Sequence, residues 1–367
     1  MSAPAVATVD LHRGHDDEPA HQRGLGALVA RVLADPRCSP AARLAADRGF
    51  RTRHRLDAHR STFFYWSADG DAAAAAQALP QTLTVSPRLP DADLITELRT
   101  KAQEMAARRS DDPLRRLSRA WDQAAWGTSD PDPMGDTATL ARLTPELVLD
   151  ELERALSTTA TPPAGRPAIA QDQHHRPPWQ GGVRVVPGQH GVARIGVRIP
   201  VTRPPRGALE VLVEALGTGA EGRLHRALRQ ERSLAYGFSP GHWSRGGHHS
   251  LGATAYVQVE DTVEAARTLL ATLRETVTAP VPETELSAAR ARCRAKLLAA
   301  LDDPFGPAEE ARRAALGQPL LADLAHAIAQ PGPAPALGTT GERLALAVVG
   351  SPNTRQLAAL ERLLEAA

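Results

Sequence analysis

The stretch LEVLVEALGTGAEGRLHRALRQERSLAYGFSP, residues Leu209–Pro240, decides the fold. Its apolar residues recur at helical spacing over 207–217, break at Gly217, Gly219 and Gly222, and resume over 221–231 before a strand-like run at 236–243. The glycines lack the Lys-Ser/Thr ending of a phosphate-binding loop, so they read as a turn between two helices. Immediately upstream, VARIGVRIPV alternates strictly, which puts Ala193, Ile195, Val197, Ile199 and Val201 on one face of a strand. Downstream follow a second strand-like run at 250–258, a helix at 261–277, and ELSAARARCRAKLLAALDDPFGPAEEARRAALG from Glu285 to Gly317. Strands interleaved with amphipathic helices in this way predict a sheet covered by helices.

The first half repeats the plan. A helix at about 24–35 (GLGALVARVLAD) precedes a strand at 61–67 (STFFYWS), an alanine-rich helix at 71–79, and a long helical segment from Glu97 to Gly127. That segment and Glu285–Gly317 share an opening Glu-Leu, an Arg/Ala-rich helix, an Asp-Asp-Pro break, a further helix and a closing Gly. The breaks are Asp111, Asp112, Pro113 and Asp302, Asp303, Pro304. Proline disfavours helical geometry in the residue before it, so each break predicts a helix junction with carboxylates at the next N-terminus. Between the halves, residues 157–179 carry five prolines and no apolar period, and read as a linker. The expectation is an α+β chain of two similar sandwich units, 1–156 and 180–367.

Composition removes several classes of function. Among 367 residues, 43 basic side chains balance 42 acidic ones for a net charge of +1, so neither nucleic acid nor an anionic membrane is implied as a partner. Cys38 and Cys293 are too few for a disulfide framework or a multi-cysteine zinc site. No stretch approaches eighteen consecutive apolar residues and no secretory pattern opens the chain, so a cytoplasmic protein is expected.

Residues 209–240, with PVPETELSAARARCRAKLLAALDDP downstream and RLALAVVGSP at 343–352, resemble the C-terminal domain of the M16 (pitrilysin or insulinase-like) metallopeptidase family, of the M16B small-subunit type. That domain has a helix, a Gly-rich turn, an "SRLF-x-x-LR" helix and "GLAY-S". The resemblance implies a LuxS/MPP-like metallohydrolase fold with mainly antiparallel sheets, 1–156 as its N-terminal domain and 180–367 as its C-terminal one. Active members hold zinc with an inverted His-x-x-Glu-His motif. Histidines four apart share a helical face and one metal, and the Glu before the second His reaches the bound water. In this chain HDDEPAHQRGLG resembles the approach to that helix, and alignment on Gly24 and Leu25 puts the three motif positions at Ala27, Ala30 and Arg31. All three functional groups are missing. Glu97 and Glu104, seven apart as in the family, read as relic carboxylates, with Glu104 at the third-ligand position; an alignment shifted by one puts Met105 there. One carboxylate does not hold zinc, so no metal is expected in this chain.

The resemblance carries over a different pair. The family's C-terminal domains have an Arg and a Tyr seven apart that face the zinc across the substrate chamber, and Arg229 and Tyr236 match them. The resemblance implies that Arg229 bonds substrate carbonyls and Tyr236 donates to the developing oxyanion. A bland alternative for the pair is a helix-surface arginine and a buried strand tyrosine. The implied function is a non-catalytic, substrate-binding subunit, inactive alone, of a heterodimeric peptidase whose partner carries His-x-x-Glu-His and the zinc. Leader-peptide removal is a task suggested by fold analogy only. The rivals are an inert scaffold of the same fold and a hydrolase using His12, His15 and His21, His174 and His175, or His248 and His249; none of these sets has metal-ligand spacing. The run Phe63, Phe64, Tyr65, Trp66 predicts a buried strand with one outward face.

Overall fold

The computed structural model describes residues 5–11, 13–57, 60–68, 72–79, 91–129, 131–157, 178–202, 204–205, 207–217, 221–245, 247–315, 317–330 and 337–365. Most of the Pro-rich segment, with His12, His174 and His175, lies outside them. The first half runs β1 (Ala5–Leu11), α1 (Leu25–Ala34), α2 (Pro40–Asp47), β2 (Arg51–Leu56), β3 (Ser61–Ser67), α3 (Ala72–Ala78), α4 (Ala92–Asp111), α5 (Pro113–Trp126), α6 (Thr137–Ala141) and α7 (Pro145–Ser157). The second runs β4 (Gly182–Val186), β5 (Val192–Val201), α8 (Ala208–Gly217), α9 (Arg223–His225), β6 (Ala235–Arg245), β7 (His248–Gln258), α10 (Thr262–Thr278) and α11 (Glu283–Leu301). It closes with α12 (Gly306–Ala315), α13 (Leu321–Ala329), β8 (Ala345–Val349) and α14 (Thr354–Glu365).

Both Asp-Asp-Pro breaks are helix junctions. Asp112 caps α5 by accepting from the Leu114 amide at 2.9 Å, and Asp303 accepts from the Phe305 amide at 2.9 Å just before α12. The helix beyond each break joins the other half's unit. One unit comprises Met1–Asp111, Pro131–Ala168 and Asp302–Ala315; the other comprises Asp112–Asp130, Ile169–Leu301 and Leu316–Ala367.

In the first unit β3 lies between β1 and β2, antiparallel to both. Phe63 and Tyr65 point into a core with Leu28, Leu33, Ile95 and Leu152 from α1, α4 and α7. The opposite face of β3, expected to be outward, is covered as well. Phe64 is 1% exposed and meets Phe305 edge-on at 6.2 Å, while Arg53 from β2 lies over the same Phe305 ring at 4.6 Å. The covering residues come from the second half of the chain, which is why local patterning predicted one outward face.

In the second unit the strand order is β4-β8-β5-β7-β6, antiparallel except for the β4/β8 pair. The alternating face of β5, from Ala193 to Val201, packs with Leu212, Leu216, Leu269 and Leu273 of α8 and α10. The other face receives α5. Trp121 lies flat over two glycines: a Cβ at Gly196 or Gly252 would come within 3.1 Å of its ring. Its indole N–H donates to the Ala345 carbonyl at 3.2 Å. Gly217, one of the turn glycines, is required by space, because a Cβ there would sit 2.2 Å from Cγ of Pro240.

Candidate functional site

Helix α1 begins at Gly24, whose φ of 97° lies in the left-handed region that favours glycine. Glu18 accepts from the Gly24 and Gly26 amides, each at 2.7 Å, and so satisfies two of the N–H groups that a helix start leaves open. From this fixed start, Ala27 and Ala30 turn inward and are 3% and 5% exposed. Arg31 is half-buried and donates to Sδ of Met105 on α4 at 3.2 Å; burial and the nearby Arg109 charge pull its guanidinium below the usual arginine range. Glu97 is exposed and accepts from Arg37 at 3.0 and 3.3 Å and from Lys101; Arg37 is also clasped by Asp35 at 2.8 Å. Glu104 is exposed on α4.

The structure therefore brings Arg31 to Met105 and draws Glu97 into a surface ion network. Methyl groups offer a metal no lone pair, and a guanidinium repels it. These residues do not fit a zinc ion. No group of three or more His, Cys, Asp or Glu is arranged to hold a metal among the described residues.

The Arg229–Tyr236 segment concentrates backbone irregularities. Residues Arg226–Gln230 form a π-helical turn continuing α9, a form that often marks functional sites. Ser233 follows with φ 53°, the one non-glycine residue at positive φ among the described residues. Then β6 opens on a bulge: Ala235 pairs with Val257 and Gly237 with Tyr256, so Tyr236 and Gly237 together oppose one residue. The extra residue lets Phe238 pack against the helix-covered core while Tyr236 stays on the Tyr256 side of the sheet.

Tyr236 is 55% exposed, unlike a buried strand tyrosine. Its ring packs on Tyr256 at 5.5 Å, and Tyr256 lies beneath the Arg194 guanidinium at 4.5 Å. Gln258 donates to the Tyr236 hydroxyl oxygen, which leaves the phenolic proton available to an outside acceptor. Arg229 is exposed and spends its donors within the chain: Nε on the Ala235 carbonyl at 3.3 Å and Nη2 on that of Tyr236. Arg229 thereby ties the turn to the bulge and fixes where Tyr236 stands. Gln258, Tyr256 and Ser233 had no local sequence signal, since each gains its part from the bulge register.

The geometry defines a sheet-and-helix chain whose α1 carries no metal-binding side chain at 27, 30 or 31 and whose second unit exposes a tyrosine. Residues 143–293 match the family model described as "Peptidase M16 inactive domain". Three solved structures share the fold. A protease from Helicobacter pylori matches with TM-score 0.69 at 13% identity, over 95% of each chain. A peptidase M16 inactive domain from Pseudomonas fluorescens matches with TM-score 0.66 at 14% identity, over 95% of this chain and 93% of that one. A chain of complex III from Candida albicans matches with TM-score 0.64 at 13% identity, over 97% of this chain and 94% of that one. No curated protein matches. Residues 143–293 are thus similar to the M16 inactive domain, and the chain as a whole shares the fold of these structures. No helix among the described residues is long and apolar enough to cross a membrane.

Proposed function

We propose that this chain is the non-catalytic, substrate-binding subunit of a two-chain M16 zinc metallopeptidase. Its partner would carry His-x-x-Glu-His and the metal, in the cytoplasm, and the substrate would be an extended peptide. The observation that carries this reading is the contrast between two elements of one chain. Helix α1, which aligns with the family's metal helix, holds Ala27, Ala30 and Arg31, whereas Tyr236 is 55% exposed on a bulge, with its hydroxyl oxygen bonded by Gln258. A tyrosine kept as filler would be buried and carry no such support. In the complex, Tyr236 would donate to the oxygen that becomes negative when the partner's water attacks, and Arg229 would act as a positioning residue. The two-chain arrangement and leader-peptide removal as its task come from the family analogy.

The test uses the purified chain alone and then mixed with an M16 chain bearing the intact motif from the same genome. The expected result is no peptide cleavage by either chain alone and cleavage by the mixture. Tyr236→Phe should lower kcat of the mixture at least tenfold with assembly unchanged, and Arg229→Ala should lower kcat while Arg229→Lys partly restores it. Unchanged turnover in Tyr236→Phe overturns the role. One observation favours the inert scaffold as second reading: Arg229 already bonds its own chain's carbonyls at 235 and 236. Under that reading the mixture assembles and neither substitution changes turnover.

A further inference from the structure

A cavity of about 250 Å³ opens on the α5 side of the second unit's sheet. Trp126 and Trp179 stand at 83° to one another, with ring centres 4.8 Å apart, and Trp243 adds a third indole. His248 meets the Trp126 ring edge-on at 5.1 Å, and Ser118 lies at the rim on α5. Trp243 is seven residues along β6 from Tyr236, roughly 20 Å at strand rise, so this place is separate from the tyrosine bulge.

The cavity also contains an ion pair that packing alone does not require. Arg198 is 4% exposed and held between the Trp121 and Trp243 rings, 4.2 Å from each centre. Its Nη1 donates to Oδ1 of Asp122 at 2.8 Å, and its Nε finds no acceptor. Burying an ion pair costs several kcal/mol in desolvation, and an apolar side chain would fill the same layer at no such cost. The guanidinium is clamped between two indoles with its Nε unpaired, while the Asp122 side chain is 23% exposed. Opposite charges side by side disfavour a simple anion and a simple cation alike, and favour a ligand that brings both signs. The volume falls below the range of roughly 300–1,000 Å³ usual for drug-sized ligands and cofactors. A space of this size is nearer the volume of one amino acid than that of a nucleotide.

We propose that this cavity binds a free α-amino acid with a flat or branched apolar side chain, its carboxylate toward Arg198, its ammonium toward Asp122 and its side chain among Trp126, Trp179 and Trp243. A residue within a peptide has lost both charges to amide bonds, and a terminal residue keeps one, so the free zwitterion is the species the two charges select. The inference stands independently of the peptidase reading.

The test is calorimetric titration of the full chain with L-phenylalanine, L-tryptophan and L-leucine, beside phenethylamine and 3-phenylpropionate as single-charge controls. Saturable one-to-one binding of at least one amino acid is expected, with both controls at least tenfold weaker. Ser118 is exposed, so Ser118→Trp fills the rim without disturbing the core. That variant should keep the wild-type thermal transition and lose binding at least tenfold. The proposal fails if no amino acid binds at millimolar concentration, if a control binds equally well, or if Ser118→Trp binds as wild type does.

Discussion

Glu18 makes the stability of the first unit depend on pH. Its carboxylate is 6% exposed and accepts from two backbone amides at the start of α1. Burial pushes its carboxyl from 4.5 up to about 7; the Gly26 and Gly24 amides and the Arg23 charge pull it down but do not win, and Glu151 adds to the rise. A carboxyl raised in the folded state keeps its proton where the unfolded chain has lost it. Stability from this group is therefore complete below about pH 4.5 and declines as pH rises through 7. Two and a half pH units at about 1.4 kcal/mol each give a total loss of about 3.5 kcal/mol. The assay is urea unfolding of wild type and Glu18→Gln at intervals from pH 4.5 to 8.5. The glutamine amide accepts with one oxygen only, so one helix-start N–H loses its partner at a pH-independent cost of about 1–3 kcal/mol. Wild type should exceed the variant most at acid pH, and the difference should fall by about 3.5 kcal/mol toward pH 8. A gap that stays constant, or widens with pH, would show that the two amides and the helix dipole hold the carboxylate ionised throughout, and the reasoning would fail.

Two further outcomes follow from packing and backbone geometry. Trp121→Ala should destabilise the second unit by about 3–5 kcal/mol in denaturant unfolding, because it empties the layer over Gly196 and Gly252 and removes the bond to the Ala345 carbonyl. Ser233→Gly should raise stability by about 0.5–1 kcal/mol, since glycine occupies φ 53° without the Cβ penalty; a loss of stability would mean that the Ser233 hydroxyl bond to the Arg229 carbonyl outweighs the strain.

Much of the fold was legible because the relevant signals are local. The strand at 61–67, the β5 face from Ala193 to Val201 and both Asp-Asp-Pro caps are set by residues within one or two turns of one another. Helix α1 itself was equally legible, since the apolar period from Leu25 to Ala34 is local. The identity of the residue facing Arg31 was not: Glu104 and Met105 differ by one position on α4, which is a hundred degrees of helix, and the structure presents Met105. The bulge at Tyr236 was hidden because one inserted residue leaves the average alternation of 236–243 intact. The cavity was hidden for the opposite reason: its indoles, at 126, 179 and 243, are far apart in sequence, so no window contains two of them.

The outer faces of the two sheets extend this point. Local alternation predicted that β3 would show one face to solvent, and it would have predicted the same of β5 at Arg194, Gly196 and Arg198. Each face is instead covered by the segment beyond the Asp-Asp-Pro of the other half: Phe305 meets Phe64, and Trp121 lies on Gly196 and Gly252. A sheet face patterned for solvent has no deep apolar socket, so the covering residues must bring their own contacts. Arg53 stacks on Phe305 in the first unit, and Arg198 between Trp121 and Trp243 in the second. In both units an arginine that looks like a solvent-facing strand residue becomes the partner of an aromatic ring from the distant helix. In the second unit that arginine also meets an aspartate of the covering helix, which leaves a charged pair beneath an indole wall. The exchange of helices thus accounts for a polar cavity lying on a sheet face that no single half of the chain could have formed.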